Sequence, residues 1–304
     1  MLAAIPFPDI SPEIFTISLF GMSFALRWYA LAYIVGILIG WWIAAQAIKR
    51  PTLWANDTPP LTRDQIEDLL TWVIIGVIAG GRFGYVLFYG DGQFADDPLS
   101  IFRVWDGGMS FHGGFIGVCL AVIISARKYG AALGDVANVL ALTATPAIFL
   151  VRIANFINAE LYGRASDLPW AMKFPTMCVD PGRQPCPTAG EWFYFGDEVA
   201  RHPSQLYEAG LEGLLLGAII LALAFTRGWL KRRWSLVAVF LMGYGLSRFA
   251  VEFVRQPDVQ FTSPTNPIGW AYDFGTWGLT QGQALSLPMI AAGILLVILS
   301  RRTT

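Results

Sequence analysis

The sequence is poor in the residues that build metal centres. It holds two histidines, His112 and His202, and three cysteines, Cys119, Cys178 and Cys186. Neither HExxH nor CxxC spacing occurs, so no metal site and no cofactor is expected. GxSxG and the phosphate-binding glycine loop are also missing, which counts against a serine hydrolase and against nucleotide-driven work. Charge is scarce: Asp, Glu, Lys and Arg make up 14% of 304 residues and the net charge is −1, leaving no electrostatic footprint for nucleic acid. No basic residue precedes Arg27, so the n-region of a cleaved signal peptide is absent and the first apolar segment is expected to stay as a membrane span.

Apolar residues fill the space that charge leaves. The chain is 55% hydrophobic with 12 Trp, and its mean hydropathy of +0.52 describes an all-α polytopic integral membrane protein. Apolar runs near the length of a bilayer crossing fall at 27–48, 69–89, 111–128, 133–158, 205–226, 234–254 and 284–300, seven spans in all. The third and sixth are short or interrupted by glycine and polar groups. Basic residues cluster after odd-numbered spans: Lys49, Arg50 and Arg63, then Arg127 and Lys128, then Arg227, Lys231, Arg232 and Arg233, then Arg301 and Arg302. By the positive-inside rule that side is cytoplasmic, so the N-terminus is expected outside and the C-terminus inside. The outer side then carries Asp9, Glu13, the Asp91, Asp96 and Asp97 loop, and the long 159–203 loop. Residues 1–304 read as a single membrane domain, with 159–203 as a periplasmic insertion between spans four and five.

Within these apolar runs some polar groups stand out. An arginine at a helix centre costs about 2.5–3.5 kcal/mol even on insertion scales, so Arg82, Arg152 and Arg248 need an explanation. Arg27 and Arg255 lie nearer the interfaces, where snorkelling explains them equally well. The densest polar stretch runs from Arg152 to Arg164, RIANFINAELYGR. At helical pitch Arg152, Asn155 and Ala159 share a face, and Glu160 with Arg164 is spaced to pair if the helix continues. A guanidinium fork beside a carboxamide suits a phosphate or carboxylate; interhelical stitching is the plainer alternative. In span six Tyr244, Arg248, Glu252 and Arg255 form a polar stripe. Glu160, Glu208 and Glu252 are candidates to neutralise some of the cations.

Other segments carry weaker signals. Trp28 and Tyr29 read as an interfacial belt, with the Tyr29 hydroxyl also able to meet a headgroup. Gly80, Gly81 and Gly84 permit close helix approach around Arg82. His112 sits among glycines in RVWDGGMSFHGG, either as a base near neutral pH or as a satisfied hydrogen-bond partner. The 159–203 loop is long and aromatic enough for a lid or substrate-contacting arm, or it is a passive insertion. A Cys178–Cys186 disulfide there is left open, and Ser204 is placed to cap the fifth span.

Taken together, RWYALAY, GGRFGYVLFY, RVWDGGMSFHGG, RIANFINAELYGR, RHPSQLYEA and GYGLSRFAVEFVRQPD resemble the prolipoprotein diacylglyceryl transferases of bacterial inner membranes, from Arg27 to Asp258 with a weaker echo at Gln283–Met289. That resemblance implies seven membrane helices with periplasmic arm and head features. It implies transfer of the diacylglyceryl group of phosphatidylglycerol to the lipobox cysteine of a prolipoprotein signal peptide, giving a thioether and glycerol 1-phosphate. On the family's motifs Arg152, Asn155, Glu160, Gly163 and Glu252 would bind the lipid, while His112, Arg248, Tyr29 and Tyr244 would act in catalysis. The family usually has glycine at the positions of Ala30, Ala154 and Ala159. Which group accepts the thiol proton is left open. The competing class is a transporter or channel for an anionic solute, since buried arginines also line such paths; it predicts an internal repeat, and none is visible.

Overall fold

The computed structural model describes residues 5–19, 22–90, 94, 97–104, 107–178, 186, 188, 190–196, 198–257 and 259–300. Asp91, Asp96, Trp105, Asp106, Asp258, Arg301 and Arg302, which enter the charge and motif readings above, lie outside the described residues.

Seven helices of the described residues match the seven apolar runs: α1 (Trp28–Ile48), α2 (Arg63–Tyr89), α3 (Phe111–Tyr129), α4 (Leu133–Ile157), α5 (Ser204–Thr226), α6 (Ser235–Val251) and α7 (Gln281–Ser300). All but α6 are long and apolar enough to cross a bilayer. The α6 helix has 17 residues, about 26 Å of rise, at the lower limit for a span. Helix α2 starts at Arg63 rather than near 69 because Thr62 forms a capping box: its hydroxyl accepts from the Gln65 N–H, and the Gln65 side chain accepts from the Thr62 N–H. Many large apolar side chains remain exposed along these helices, among them Ile34, Leu38 and Trp42 on α1 and Leu87 and Phe88 on α2. That is the surface expected of a chain solvated by lipid.

Outside the helices the described residues form four two-stranded ladders, besides isolated bridges. Strand β1 (Ile5–Pro6) runs parallel to β4 (Met172–Lys173), and β2 (Glu13–Leu19) is antiparallel to β3 (Met22–Arg27). Strands β5 (Thr176–Met177) and β6 (Trp192–Phe193) form one short hairpin ladder, and β7 (Tyr272–Asp273) with β8 (Gly278–Leu279) another.

The chain forms two compact units, one of Met1–Gly40, Ala144–Leu221 and Ala238–Ile298, the other of Trp41–Thr143, Ala222–Val237 and Leu299–Thr304. In the first unit Phe7, Ala159, Met172 and Phe174 make a small core, backed by Phe156, Tyr162 and Trp192. The Trp192 indole donates to the Ile10 carbonyl at 2.9 Å, tying the N-terminal segment to the long loop. Cys178 and Cys186 form a disulfide with Cα atoms 5.8 Å apart, which closes the pairing the sequence left open.

In the second unit α2 and α3 pack through glycine. An added Cβ at Gly80 would collide with the Gly113 carbonyl, and one at Gly117 with the Gly76 carbonyl, so backbone lies directly on backbone. Here the expected role of Gly80 as a close-approach residue is borne out. Gly80→Ala and Gly117→Ala should each destabilise the protein by about 1–3 kcal/mol, read as a lowered Tm in detergent. Gly114→Ala, whose Cβ would meet nothing closer than the Val77 oxygen at 3.6 Å, should stay within about 0.5 kcal/mol.

Candidate active site

The polar residues of α4, α5 and α6 meet in the first unit, and their centre is a carboxylate. Glu208 is fully buried on α5 and receives three arginines. Arg152 of α4 approaches with Nη1 3.1 Å from Oε2, Arg248 of α6 with Nη1 2.8 Å from Oε1, and Arg255 with Nη1 3.4 Å from the same oxygen. A second buried carboxylate, Glu212, lies 3.1 Å from Arg152 Nη2, and a third, Glu252, lies 2.8 Å from Arg248 Nη2. Three guanidiniums therefore face three carboxylates. Water is too scarce here to solvate any of them singly, so each charge depends on its partners. The arginine side chains keep 16%, 18% and 13% of their surface exposed, in the order Arg152, Arg248, Arg255. The Glu208 and Glu212 side chains keep none.

Local backbone places Glu208 and Glu212 for this. From Ala209 to Leu215 helix α5 is π-helical. Such wide turns are uncommon in helices and frequent at functional sites. Gly213 in that segment lies against α4, where a Cβ would meet the Phe149 Cβ at 2.5 Å.

Beyond its end at Ile157, α4 gives way to a tight turn, and this overturns one expectation. Glu160 and Arg164 do not share a helical face; Glu160 accepts from the Asn155 amide at 2.8 Å and the Asn158 amide at 3.3 Å, while Arg164 donates to the Ile268 carbonyl at 2.9 Å. Ala159 and Leu161 adopt positive φ, 50° and 59°, which is what ends the helix. Gln205, wholly buried, donates to the Glu160 carbonyl at 2.5 Å and fixes the turn. Ser204 does not cap α5: it is the first helical residue, and its hydroxyl donates to the Leu161 carbonyl at 3.0 Å. Gly163 is required by proximity, since a Cβ there would meet the His202 side chain at 2.6 Å and would also strike the Val254 carbonyl. This close approach lets Gly163 bridge to Arg255, so the glycine acts on the site through the backbone that carries an arginine. Burial pushes the neighbouring His202 imidazole below its ordinary range.

The other expected site residues divide. Tyr244 on α6 lies within electrostatic reach of Glu212, Arg152, Arg248 and Glu208. Tyr29 sets its ring centre 5.3 Å from that of Tyr33 in a tilted arrangement, and Tyr33 lies within electrostatic reach of Arg152. His112 belongs to the other unit, exposed on the first turn of α3, with its ring edge-on to Phe111 at 5.7 Å. Arg82, also there, is a structural arginine. It donates to the carbonyls of Ile101 at 2.8 Å, Gly107 at 2.5 Å, Gly108 at 3.1 Å and Ser100 at 2.6 Å, which leaves it no part in gathering an anion.

Sequence reading missed Glu212, Tyr33 and Gln205. The first two had a signal: Glu208 and Glu212 are spaced i,i+4 in an otherwise apolar run, and so are Tyr29 and Tyr33. Gln205 had none beyond being an amide in a span.

Comparison with known proteins agrees with the motifs. A family model described as prolipoprotein diacylglyceryl transferase matches residues 15–299. A protein of Ruegeria pomeroyi named phosphatidylglycerol–prolipoprotein diacylglyceryl transferase is 54% identical over 301 residues, covering 99% of both chains. One of the same name from Cereibacter sphaeroides is 54% identical over 304 residues, covering 99% of this chain and all of its own. Another from Sinorhizobium medicae is 45% identical over 293 residues, 96% of this chain and 93% of its own. With the match running through every helix that carries the charge cluster, the chain belongs to the prolipoprotein diacylglyceryl transferase family.

Proposed function

We propose that the chain transfers the diacylglyceryl group of phosphatidylglycerol to the cysteine thiol of a prolipoprotein lipobox, releasing glycerol 1-phosphate. The observation that carries this is the convergence of Arg152 and Arg248, from separate helices, on a buried carboxylate while both arginine side chains stay partly exposed. Relatives named for this reaction match nearly the whole chain. In the reaction the sulfur–carbon bond forms as the glycerol carbon–oxygen bond breaks, the phosphate oxygen keeps the bonding pair, and the thiol proton passes to a base. The two guanidiniums hold the phosphodiester in line and stabilise the charge that grows on the departing phosphate. Asn155, Glu160 and Glu252 orient those arginines and the turn beside them, and Gly163 sets the backbone of Arg255. Tyr244 lies within electrostatic reach of the cluster, and with Tyr29 and His112 it is a further catalytic candidate, supported for each by the family's motifs.

The protein works in the bacterial inner membrane as a multi-pass enzyme. We infer that the N-terminus faces the periplasm and the C-terminus the cytoplasm, with residues 159–203 as a periplasmic loop inserted into one membrane domain spanning 1–304. The basic residues of alternate loops support this, and so does the Cys178–Cys186 disulfide, which belongs in an oxidising compartment. A reporter that fluoresces only in the cytoplasm should be bright when fused after Thr304, and a periplasmic phosphatase fused there should be inactive. The opposite pair of signals would reverse the topology.

The chemistry is tested with purified protein, phosphatidylglycerol and a lipobox peptide, reading peptide mass and glycerol phosphate. A diacylglyceryl mass gain is expected on the cysteine peptide and not on its Cys→Ala counterpart. Arg152→Lys keeps the charge but loses the fork, and should lower kcat/KM by about tenfold to a hundredfold with Tm close to that of the parent. Arg248→Ala should lower it by at least about a hundredfold. Well-folded parent protein that yields neither product would sink the assignment.

A further inference from the structure

The charge cluster is already balanced, with Arg152, Arg248 and Arg255 facing Glu208, Glu212 and Glu252. A phosphodiester seated on Arg152 and Arg248 adds an anion to a buried set that sums to zero. At close range in such a site, like charges repel strongly, so one carboxylate has to yield its guanidinium.

The three carboxylates are not held equally. Glu208 is fixed by three arginines from three chain segments. Glu252 pairs with Arg248 at 2.8 Å and lies against α7, where a Cβ on Gly282 would meet its Oε2 at 2.5 Å. Among the described residues Glu212 has one ion partner, Arg152, at 3.1 Å, against three for Glu208; one buried oxygen of each of the three carboxylates has no hydrogen-bond partner there. Its backbone lies in the π-helical turn, a geometry frequent at functional sites. The groups that face it are Arg152 from α4, Glu208 from its own helix, and Arg248 and Tyr244 from α6.

We propose that Glu212 is the exchangeable counter-ion of Arg152, occupying in the lipid-free protein the guanidinium edge that the phosphate of an anionic lipid takes on binding. This rests on the reading of the cluster as the phosphatidylglycerol site. It makes Glu212 an internal competitor of the substrate. Removing its charge therefore has the opposite sign from removing a positioning group: the lipid binds more tightly.

Measured with full-length protein in mixed micelles of phosphatidylglycerol, Glu212→Gln should lower KM for the lipid by about tenfold. Glu212→Asp keeps the charge on a shorter arm and should lower KM by less. Glu208→Gln frees three arginines from their common anchor and should instead lower kcat/KM by at least about tenfold. The gain at Glu212 should extend to inhibition by phosphatidic acid and be absent for zwitterionic phosphatidylethanolamine. If Glu212→Gln fails to fold, as judged by Tm, Glu212→Asp decides. An unchanged or raised KM in folded variants overturns the counter-ion role alone, provided the parent turns over phosphatidylglycerol and Arg152→Lys weakens it. A parent with no turnover and no binding of phosphatidylglycerol overturns the site reading as well.

Discussion

A carboxylate withdrawn from water into a membrane interior is stable only if cations reach it, and a cation there is stable only if carboxylates reach it. Glu208 is where this mutual requirement is resolved, since Arg152, Arg248 and Arg255 all close on its two oxygens. Removing one member of such a set strands the others, at a typical cost of about 3–5 kcal/mol for a buried pair. The positions of α4, α5, α6 and the segment after α6 are consequently linked through one residue. Stitching helices together and presenting an anion site are usually treated as rival explanations for buried arginines. Here one network is compatible with both, because buried carboxylates hold guanidiniums whose side chains stay partly exposed.

Arg82 and Arg152 differ in what holds them. Each is an arginine within an apolar helix. Arg82 spends its donors on four backbone carbonyls of residues 100–108 and stacks its guanidinium 5.4 Å from the Phe94 ring centre. Backbone carbonyls cannot leave without unravelling the loop they belong to. The partners of Arg152 are side-chain carboxylates, which can turn aside at the expense of a rotamer change and a charge contact. An arginine held by carboxylates can exchange one anion for another; an arginine held by carbonyls cannot.

These distinctions were partly written in the sequence. The spans were legible because seven apolar runs near bilayer length leave few other folds, and the helix ends erred where capping chemistry intervened, as at Thr62. Arg152, Arg248 and Glu252 were legible because charge in such runs demands a reason. The pairing of Glu160 with Arg164 depended on the helix continuing, and periodicity carries no notice of the positive φ at Ala159 that ends it. That angle suits glycine, the residue the resemblance implies at this position, yet the alanine methyl is accepted here in a left-handed turn, buried against Phe7, Met172 and Phe174. Glu212 was overlooked because a π-turn follows from tertiary packing, not from local preference.

The long loop after α4 bears on the site in a way its composition alone does not convey. Its base is laddered: the His202 carbonyl accepts from Gly163, the Arg164 carbonyl accepts from His202, and Met172 and Arg201 exchange both of their backbone bonds. The Arg164 N–H in turn donates to the Val254 carbonyl at 2.7 Å, one residue from Arg255. A displacement of residues 163–173 or 200–203 would therefore be felt by the backbone that aims Arg255 at Glu208. Beyond Lys173 the β5–β6 hairpin is held by its own disulfide, and Trp192 packs back against Phe7, Ala159, Met172 and Phe174 while donating to the Ile10 carbonyl, so the described outer residues are tied to the same base.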